Sequence, residues 1–126
     1  MKIIQTEKAP KAIGPYSQAI RAGDFLYVSG QLGLEPESGK LISDTAEMQT
    51  EQAMQNIKAI LEADGSGFND IVDTTIYLTD LTEFANVNAI YGKYFPTHKP
   101  ARATVQVSGL PKNGKVEIKV TAYRKA

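Results

Sequence analysis

The sequence lacks cysteine and tryptophan altogether and contains a single histidine, His98. Without cysteine the chain forms no disulfide, uses no thiolate nucleophile and binds no metal through sulfur. One histidine does not make a multi-histidine metal site, and no spacing typical of metal ligands, phosphate-binding glycine loops or Ser/His/Asp catalysis occurs. His98 lies in a proline-rich segment, so we expect it to be exposed and without a function.

A surplus of charge is also absent, since 14 Lys and Arg balance 14 Asp and Glu. A neutral chain has no summed field that attracts polyanions, so composition gives no support to nucleic-acid binding. No apolar run is long enough to cross a membrane, and the first residues lack the pattern of a signal peptide. We expect one domain over residues 1–126, in the cytoplasm.

Alternation, β-branched and aromatic composition and a turn sequence predict six strands, and helical spacing predicts two helices. The predicted strands are 2–6, 17–21, 25–29, 71–79, 100–107 and 116–122. The first helix is expected to begin with Asp44 as N-cap, with Glu47 completing a capping box, and to end at Gly65 as C-cap. The second helix is expected over 81–95, with an inner stripe of Phe84, Val87, Tyr91 and Tyr94.

This order of elements is typical of an α+β fold in which two helices cover one face of a mixed sheet. We expect strands 100–107 and 116–122 to pair through a Gly/Pro/Asn turn. The other face is then predicted to be polar, with Thr75, Tyr77, Arg102, Thr104, Gln106, Glu117, Lys119 and Thr121 as its members. A closed symmetric oligomer would use such a face and would create clefts between chains.

Arg102 and Glu117 are the strongest candidates for chemistry, because this pairing places both on one face of rigid backbone. A guanidinium matches a carboxylate with two parallel hydrogen bonds. A neighbouring carboxylate can orient or deprotonate a water molecule. The ordinary alternatives are an Arg102 that extends into solvent or pairs with a structural acid, and a Glu117 held in a cross-strand ion pair.

Four further residues are weaker candidates for lining a site. Tyr16 follows a stiff Gly-Pro turn and is either a pocket wall or a half-buried core residue. Ser29 and Gly30 end a strand where the backbone can approach a ligand closely, although an ordinary strand exit explains them equally well. Asn88 lies at the edge of the second helix's inner stripe, as a ligand contact or as a satisfied packing residue.

Taken together, the motifs resemble the RidA family of enamine/imine deaminases over essentially the whole chain. The matching stretches are 12–19, 28–31, 56–61 and 79–81 with Phe84 and Asn88, and then Pro100-Ala101-Arg102 running on to Val116-Glu117-Ile118. The last of these is the family's signature. The resemblance implies a chorismate-mutase-like α+β fold, assembled as a homotrimer with a central barrel, helices outside and sites between subunits.

The resemblance also implies hydrolysis of 2-imino acids such as 2-iminopropanoate and 2-iminobutanoate to 2-oxo acids and ammonia, without a cofactor or a metal. Arg102 would bind the substrate carboxylate and Glu117 would position or activate the water. Backbone near Gly30 and Thr104 would line the reacting end, with Tyr16, Ser29 and Asn88 completing the cleft. Many members carry a cysteine where this chain has Thr104, so no thiol acts here.

Two other functions stay open on the residues alone. A non-catalytic sensor of small carboxylates such as 2-oxo acids would need Arg102 equally. RNA cleavage or translation inhibition has been attached to some relatives of this type, but neutral charge and the lack of a histidine pair or stacking platform argue against it.

Overall fold

The computed structural model describes residues 1–126, and its six strands form one mixed sheet. The strands are β1 (Lys2–Ile4), β2 (Ala19–Ala22), β3 (Phe25–Leu32), β4 (Ile71–Leu78), β5 (Ala101–Gln106) and β6 (Val116–Tyr123). Their order across the sheet is β1-β2-β3-β6-β4-β5. The predicted α+β class is confirmed, and each predicted strand exists with slightly different ends.

A tight hairpin joins β2 to β3, as the sequence Ala22-Gly23-Asp24 predicts. The two strands pair antiparallel, and Ala22 lies opposite Phe25. Gly23 adopts a φ of 61°, which a residue without a Cβ reaches without steric cost. β1 then adds to the outer side of β2 and forms one edge of the sheet.

The two helices, α1 (Ala46–Asp64) and α2 (Phe84–Gly92), are connections between parallel strands. α2 joins β4 to β5, which pair side by side in parallel. α1 joins β3 to β4, which also run parallel but have β6 antiparallel between them. Both helices therefore lie in crossover connections, as is usual where parallel strands are joined.

α1 ends as predicted but begins differently. Gly65 is the C-cap with a φ of 83°, and its N–H donates to the carbonyls of Glu62 and Leu61. The N-cap is Thr45, whose hydroxyl accepts from the Met48 N–H, so the predicted Asp44 cap is wrong by one residue. Hydroxyl and carboxylate side chains cap helices almost equally well, so residue type alone does not decide which of Asp44 and Thr45 is the N-cap. The apolar residues that recur at helical spacing along α1 are buried: Ala46, Ala53, Ile57, Ile60 and Leu61.

The second helix is shorter than predicted. Residues Leu81–Glu83 form a 3₁₀ turn that precedes α2, and Asp80 caps this turn by accepting from the Thr82 N–H. Val87 and Tyr91 are buried as expected, but Phe84 is 39% exposed and Tyr94 is half-buried. The predicted inner stripe therefore holds only in its middle.

A buried carboxylate fastens the end of α1 to the ends of two strands. Asp64 accepts two hydrogen bonds from Arg21 of β2, at 2.7 and 2.5 Å, and one from the Ser66 hydroxyl. Arg124, just after β6, donates to the Asp64 backbone carbonyl at 2.8 Å. The Arg21 guanidinium holds the pKa of Asp64 below its usual range, so the carboxylate stays charged in the fold.

The predicted pairing of the two C-terminal strands is wrong. β5 pairs in parallel with β4 at the edge of the sheet, whereas β6 lies between β3 and β4. Residues that face each other across neighbouring strands point to the same side of a sheet. Arg102 lies opposite Thr74 and Thr74 lies opposite the core residue Val120, so Arg102 is on the helix-covered side. Glu117 lies opposite Tyr77, on the uncovered side.

The uncovered face is consequently less polar than predicted. Arg102, Thr104 and Gln106 belong to the other side, opposite Thr74, Ile76 and Leu78. Exposed aromatic residues contact one another on the uncovered side: the Phe25 ring meets Tyr123 edge-on at 5.2 Å between centroids and lies tilted 6.3 Å from Tyr27. Alternation within one strand identifies which residues share a face, but only strand order identifies which face that is.

Candidate active site

Arg102 extends from β5 toward α2, the helix that connects β4 to β5. Its Nη1 donates a 2.7 Å hydrogen bond to Oδ1 of Asn88. Its guanidinium carbon lies 5.1 Å from the centroid of the Tyr91 ring and 5.7 Å from that of Phe84, both within the range of cation–π attraction. The side chain is therefore held by α2, although it remains exposed.

No carboxylate neutralises Arg102. The ion pairs of the chain join Arg21 and Arg124 to Asp64 and Lys58 to Glu62, and none involves Arg102. Only one of the five guanidinium N–H groups has a protein acceptor. A free fork of donors on a fixed guanidinium is suited to binding a carboxylate in two parallel hydrogen bonds. The structural ion pair considered as an alternative for Arg102 is absent.

A cleft of about 460 Å³ opens beside Arg102, between α2 and the segment before β5. Its lining residues are Asn88, Tyr91, Gly92, Phe95, Lys99, Pro100 and Arg102. None of them is acidic, and Lys99 donates its ammonium group only to the Phe95 carbonyl, at 3.0 Å. The cleft therefore favours an anionic ligand.

Glu117 belongs to a second cleft, on the uncovered side of the sheet. β3 has a bulge here: Val28 lies opposite Val120 and Gln31 opposite Ile118, so Ser29 and Gly30 together face Lys119. A Cβ on Gly30 would lie 2.6 Å from Oε2 of Glu117. The closeness of the Glu117 side chain thus favours glycine at position 30, and a close approach of the backbone to a ligand stays a prediction.

The Glu117 carboxylate is half-buried and accepts no hydrogen bond or ion pair from the chain. Burial raises the pKa of Glu117, and the charge of Lys119 opposes part of this rise. The predicted alternative of a cross-strand ion pair is therefore absent. A desolvated carboxylate with free lone pairs is suited to taking a proton from a water molecule.

The cleft around Glu117 has a volume of about 620 Å³ and includes three of the predicted residues besides Glu117: Tyr16, Ser29 and Gly30. Tyr16 lies two residues after Gly14, whose φ of 122° makes the turn, and the residue is 54% exposed. Ser29 donates its hydroxyl to the Ser17 carbonyl at 2.6 Å. Its hydroxyl hydrogen is therefore used within the chain, and its remaining capacity is that of an acceptor.

Thr104 lines neither cleft in the single chain. It follows Arg102 by two residues on β5, on the same side of the strand, and lies opposite Ile76. Its Oγ1 is buried without a hydrogen-bond partner. An unpartnered buried hydroxyl is uncommon in folded proteins and carries a desolvation cost of about 1–3 kcal/mol.

The structure thus divides the predicted residues into two groups that share no lining residue. Arg102 and Asn88 form one group, and Tyr16, Ser29, Gly30 and Glu117 form the other. The expectation that Arg102 and Glu117 share a face within one chain is wrong, because β6 does not pair with β5.

Sequence analysis missed the aromatic support of Arg102. Phe84, Asn88 and Tyr91 occur at spacings of four and three residues, which place them on one face of a helix. Phe84 and Tyr91 were assigned to an apolar inner stripe, although the polar Asn88 in the middle of this face was a signal that a polar partner lies opposite it. His98 was also misjudged: it is half-buried, and its Nε2 contacts the Ile71 carbonyl.

No group of three or more His, Cys, Asp or Glu side chains is arranged to hold a metal ion. None of the helices combines the length and the apolar character that crossing a membrane requires.

The chain is similar to proteins of known name along nearly its full length. The family described as endoribonuclease L-PSP matches residues 6–124. Reactive Intermediate Deaminase A, chloroplastic, from Arabidopsis thaliana is 52% identical over 121 residues, which cover 96% of this chain and 65% of the relative. The human 2-iminobutanoate/2-iminopropanoate deaminase is 46% identical over 123 residues, covering 98% of this chain and 90% of the relative.

Solved structures give the same result for the fold. The crystal structure of RidA from the Antarctic bacterium Psychrobacter sp. PAMC 21119 superposes with a TM-score of 0.94 at 47% sequence identity. The match covers 98% of this chain and 99% of that one.

Proposed function

Since the chain belongs to the endoribonuclease L-PSP family and is similar over nearly its full length to relatives named reactive intermediate deaminase A and 2-iminobutanoate/2-iminopropanoate deaminase, we propose that it is an imine deaminase. It hydrolyses 2-imino acids such as 2-iminopropanoate and 2-iminobutanoate to 2-oxo acids and ammonia. The observation that carries this proposal is the uncompensated Arg102 guanidinium, held by α2 at the wall of an anion-favouring cleft.

The reaction needs little machinery, because a protonated imine is already electrophilic. Arg102 binds the substrate carboxylate through its free N–H groups and fixes the position of the C=N carbon. Glu117 takes a proton from water as the oxygen bonds to that carbon, which gives a carbinolamine. The protonated Glu117 returns this proton to the nitrogen, and its carboxylate then takes the hydroxyl proton as the C–N bond breaks, so ammonia leaves and the carbonyl of the 2-oxo acid forms.

The other predicted residues have roles that follow from their contacts. Tyr16 and Ser29 line the Glu117 cleft and offer a phenol hydroxyl and an acceptor oxygen to the reacting end. Gly30 leaves room for the Glu117 carboxylate. Thr104 lines neither cleft in the single chain, so the lining of the substrate by its backbone remains a prediction. Asn88 acts through Arg102, since its carbonyl oxygen accepts from the guanidinium.

We propose a homotrimer in which Arg102 of one subunit and Glu117 of the next complete each site. Two features support this assembly. The predicted residues form two separate groups within one chain, so neither cleft alone contains both the anion site and the base. The uncovered sheet face exposes the contacting rings of Phe25, Tyr27 and Tyr123, and burying such a surface stabilises an oligomer. A cytoplasmic location remains a prediction.

The test is an assay in which a PLP-dependent dehydratase generates the imino acid and its loss is followed with and without the purified protein. The wild type should accelerate the loss, and Arg102→Ala should reduce the acceleration at least about 100-fold, because two charge-assisted hydrogen bonds are lost. Lys58→Ala is the matched control, since Lys58 is an exposed cation on α1 remote from both clefts. Equal activity of wild type and Arg102→Ala would refute the proposal.

The remaining candidate functions are less well supported. A small-carboxylate sensor would use the Arg102 cleft but leaves the desolvated Glu117 without a task. An endoribonuclease is named by the family description, but this chain has zero net charge and one half-buried histidine, which is engaged with a backbone carbonyl.

A further inference from the structure

Arg102 contacts one face of α2, and this face is itself held to β4 by a hydrogen bond. Phe84, Asn88 and Tyr91 all contact the guanidinium. Tyr91 is 5% exposed, and its hydroxyl donates a 3.0 Å hydrogen bond to Oγ1 of Thr74, which is fully buried on β4. Thr74 is also the residue that lies directly opposite Arg102 in the parallel pair of strands.

These contacts form a closed circuit from Thr74 to Tyr91, from Tyr91 to Arg102, and across the strands from Arg102 back to Thr74. The Tyr91 hydroxyl fixes the ring, because a buried phenol is costly to leave unpaired. A ring held in this way keeps its face toward the guanidinium. Asn88 holds the guanidinium at a further point, because its Oδ1 accepts a hydrogen bond from Nη1 of Arg102.

Burial also favours the protonated phenol, since it raises the pKa of Tyr91 above its ordinary value. The hydroxyl therefore remains a donor to Thr74 throughout the pH range in which imines are formed and hydrolysed. The hydrogen bond from Tyr91 to Thr74 is therefore not lost through ionisation of the phenol near neutral pH.

We propose that Tyr91, tethered by Thr74, and Phe84 are positioning residues that orient the Arg102 guanidinium for carboxylate binding. The inference rests on the proposed function for the identity of the substrate, but it concerns how the anion site is built. A guanidinium fixed from one side loses less side-chain entropy when it binds a carboxylate, so the contacts lower the KM for the imino acid.

The role differs from ordinary packing in what it affects. A core residue that only stabilises the fold changes the melting temperature and leaves the KM of the folded enzyme as it was. A positioning residue for the anion site changes KM, and changes the inhibition constant of a carboxylate product in the same direction. It has a smaller effect on kcat, because Glu117, the proposed proton acceptor, is not altered.

The experiment compares Phe84→Leu, Tyr91→Phe and Tyr91→Leu with wild type, using 2-iminobutanoate as substrate and 2-oxobutanoate as competitive inhibitor. Phe84→Leu and Tyr91→Leu remove an aromatic face and should raise KM and the inhibition constant roughly 3- to 30-fold. Tyr91→Phe keeps the ring and removes only the tether, so its rise should be smaller, about 2- to 5-fold. Phe84 is partly exposed, so Phe84→Leu remains informative if Tyr91→Leu does not fold.

Tyr94→Phe is the matched control. Tyr94 lies three residues after Tyr91, but its hydroxyl contacts Gln55 and Glu51 of α1 and is remote from Arg102. Its KM should equal that of wild type. Unchanged KM and inhibition constant in Phe84→Leu and Tyr91→Phe would overturn the inference while leaving imine hydrolysis intact.

Calorimetric titration with 2-oxobutanoate separates this inference from the proposed function. If the wild type binds the oxo acid but does not hydrolyse imines, the deaminase assignment fails. In that case weaker binding by Phe84→Leu and Tyr91→Phe still supports the positioning role, and unchanged binding refutes it.

Discussion

Arg102 and Glu117 are held in opposite ways on opposite sides of one sheet. Arg102 is exposed and charged, with an amide and two aromatic rings of α2 around it. Glu117 is half-buried and receives no hydrogen bond, and its pKa is raised by burial. Under the proposed function, the first arrangement holds a charge that recognises an anion, and the second leaves a carboxylate without hydrogen-bond donors that would lower its pKa. Binding and proton transfer can therefore be changed separately.

The sharpest test of this difference is Glu117→Gln. The substitution keeps the size of the side chain and removes its ability to take a proton, so we expect kcat to fall roughly 10²- to 10⁴-fold. Binding of 2-oxobutanoate, measured by calorimetry, should stay within a factor of about two, because Arg102 is untouched. If binding falls as steeply as turnover, the two sides of the sheet are not independent.

A pair of glycine substitutions separates an effect on the base from an effect on the fold. In Gly30→Ala the new Cβ meets the Glu117 carboxylate, which must turn away, so kcat should fall about 10²-fold with little change in melting temperature. In Gly33→Ala the new Cβ lies 2.5 Å from the Gln49 backbone, which has no room to move. This variant should lose about 1–3 kcal/mol of unfolding free energy. Thermal melts and turnover assays on both variants test this prediction, and the reverse pattern would contradict it.

Mixing two inactive variants tests whether the two groups meet between chains. Arg102→Ala and Glu117→Gln, co-expressed so that subunits assemble at random, should recover about a quarter of wild-type activity, since that share of interfaces combines two intact groups. Mixing the same proteins after folding, without subunit exchange, is the control and should recover none. A site contained within one chain would give no recovery in either case.

The smallest expected effect concerns pH. Because burial raises the pKa of Glu117, activity should decline as the pH falls through that raised value, at a higher pH than an ordinary glutamate would give. Lys119 lowers this pKa, so Lys119→Met should move the acid limb of the kcat profile to still higher pH. In Glu117→Gln the limb should disappear. A limb that remains there belongs to another group.

Much of the fold follows from local patterns in the sequence. Alternation, β-branched and aromatic composition and turn residues together identified the strands, and Gly23 and Gly65 marked a hairpin and a helix end because their backbone angles favour glycine. The order of the strands in the sheet could not be predicted from these patterns. β5 and β6 have similar patterns, which are also compatible with pairing between the two. The choice depends on α2 returning β5 to the side of β4, which is a tertiary event.

The same contrast applies to the candidate site, where residue types could be interpreted from the sequence and relative positions could not. The residue types at Arg102 and Glu117 indicated their chemistry, and the structure supports both with free hydrogen-bonding capacity. Their locations relative to each other could not be predicted, since face assignment depends on pairing. The role of Asn88 also required coordinates, because an amide on a helix has the same appearance in sequence whether it binds a ligand or a neighbouring arginine.

The crossover from β4 through α2 to β5 has a consequence for how acid recognition is encoded. Thr74, Phe84, Asn88, Tyr91 and Arg102 all lie within this one continuous stretch of chain. A single exchanged segment would therefore transfer all residues of the proposed carboxylate site into another sheet of the same topology. The proposed base could not be transferred in this way, because the Glu117 carboxylate lies against Gly30, which is distant in the sequence.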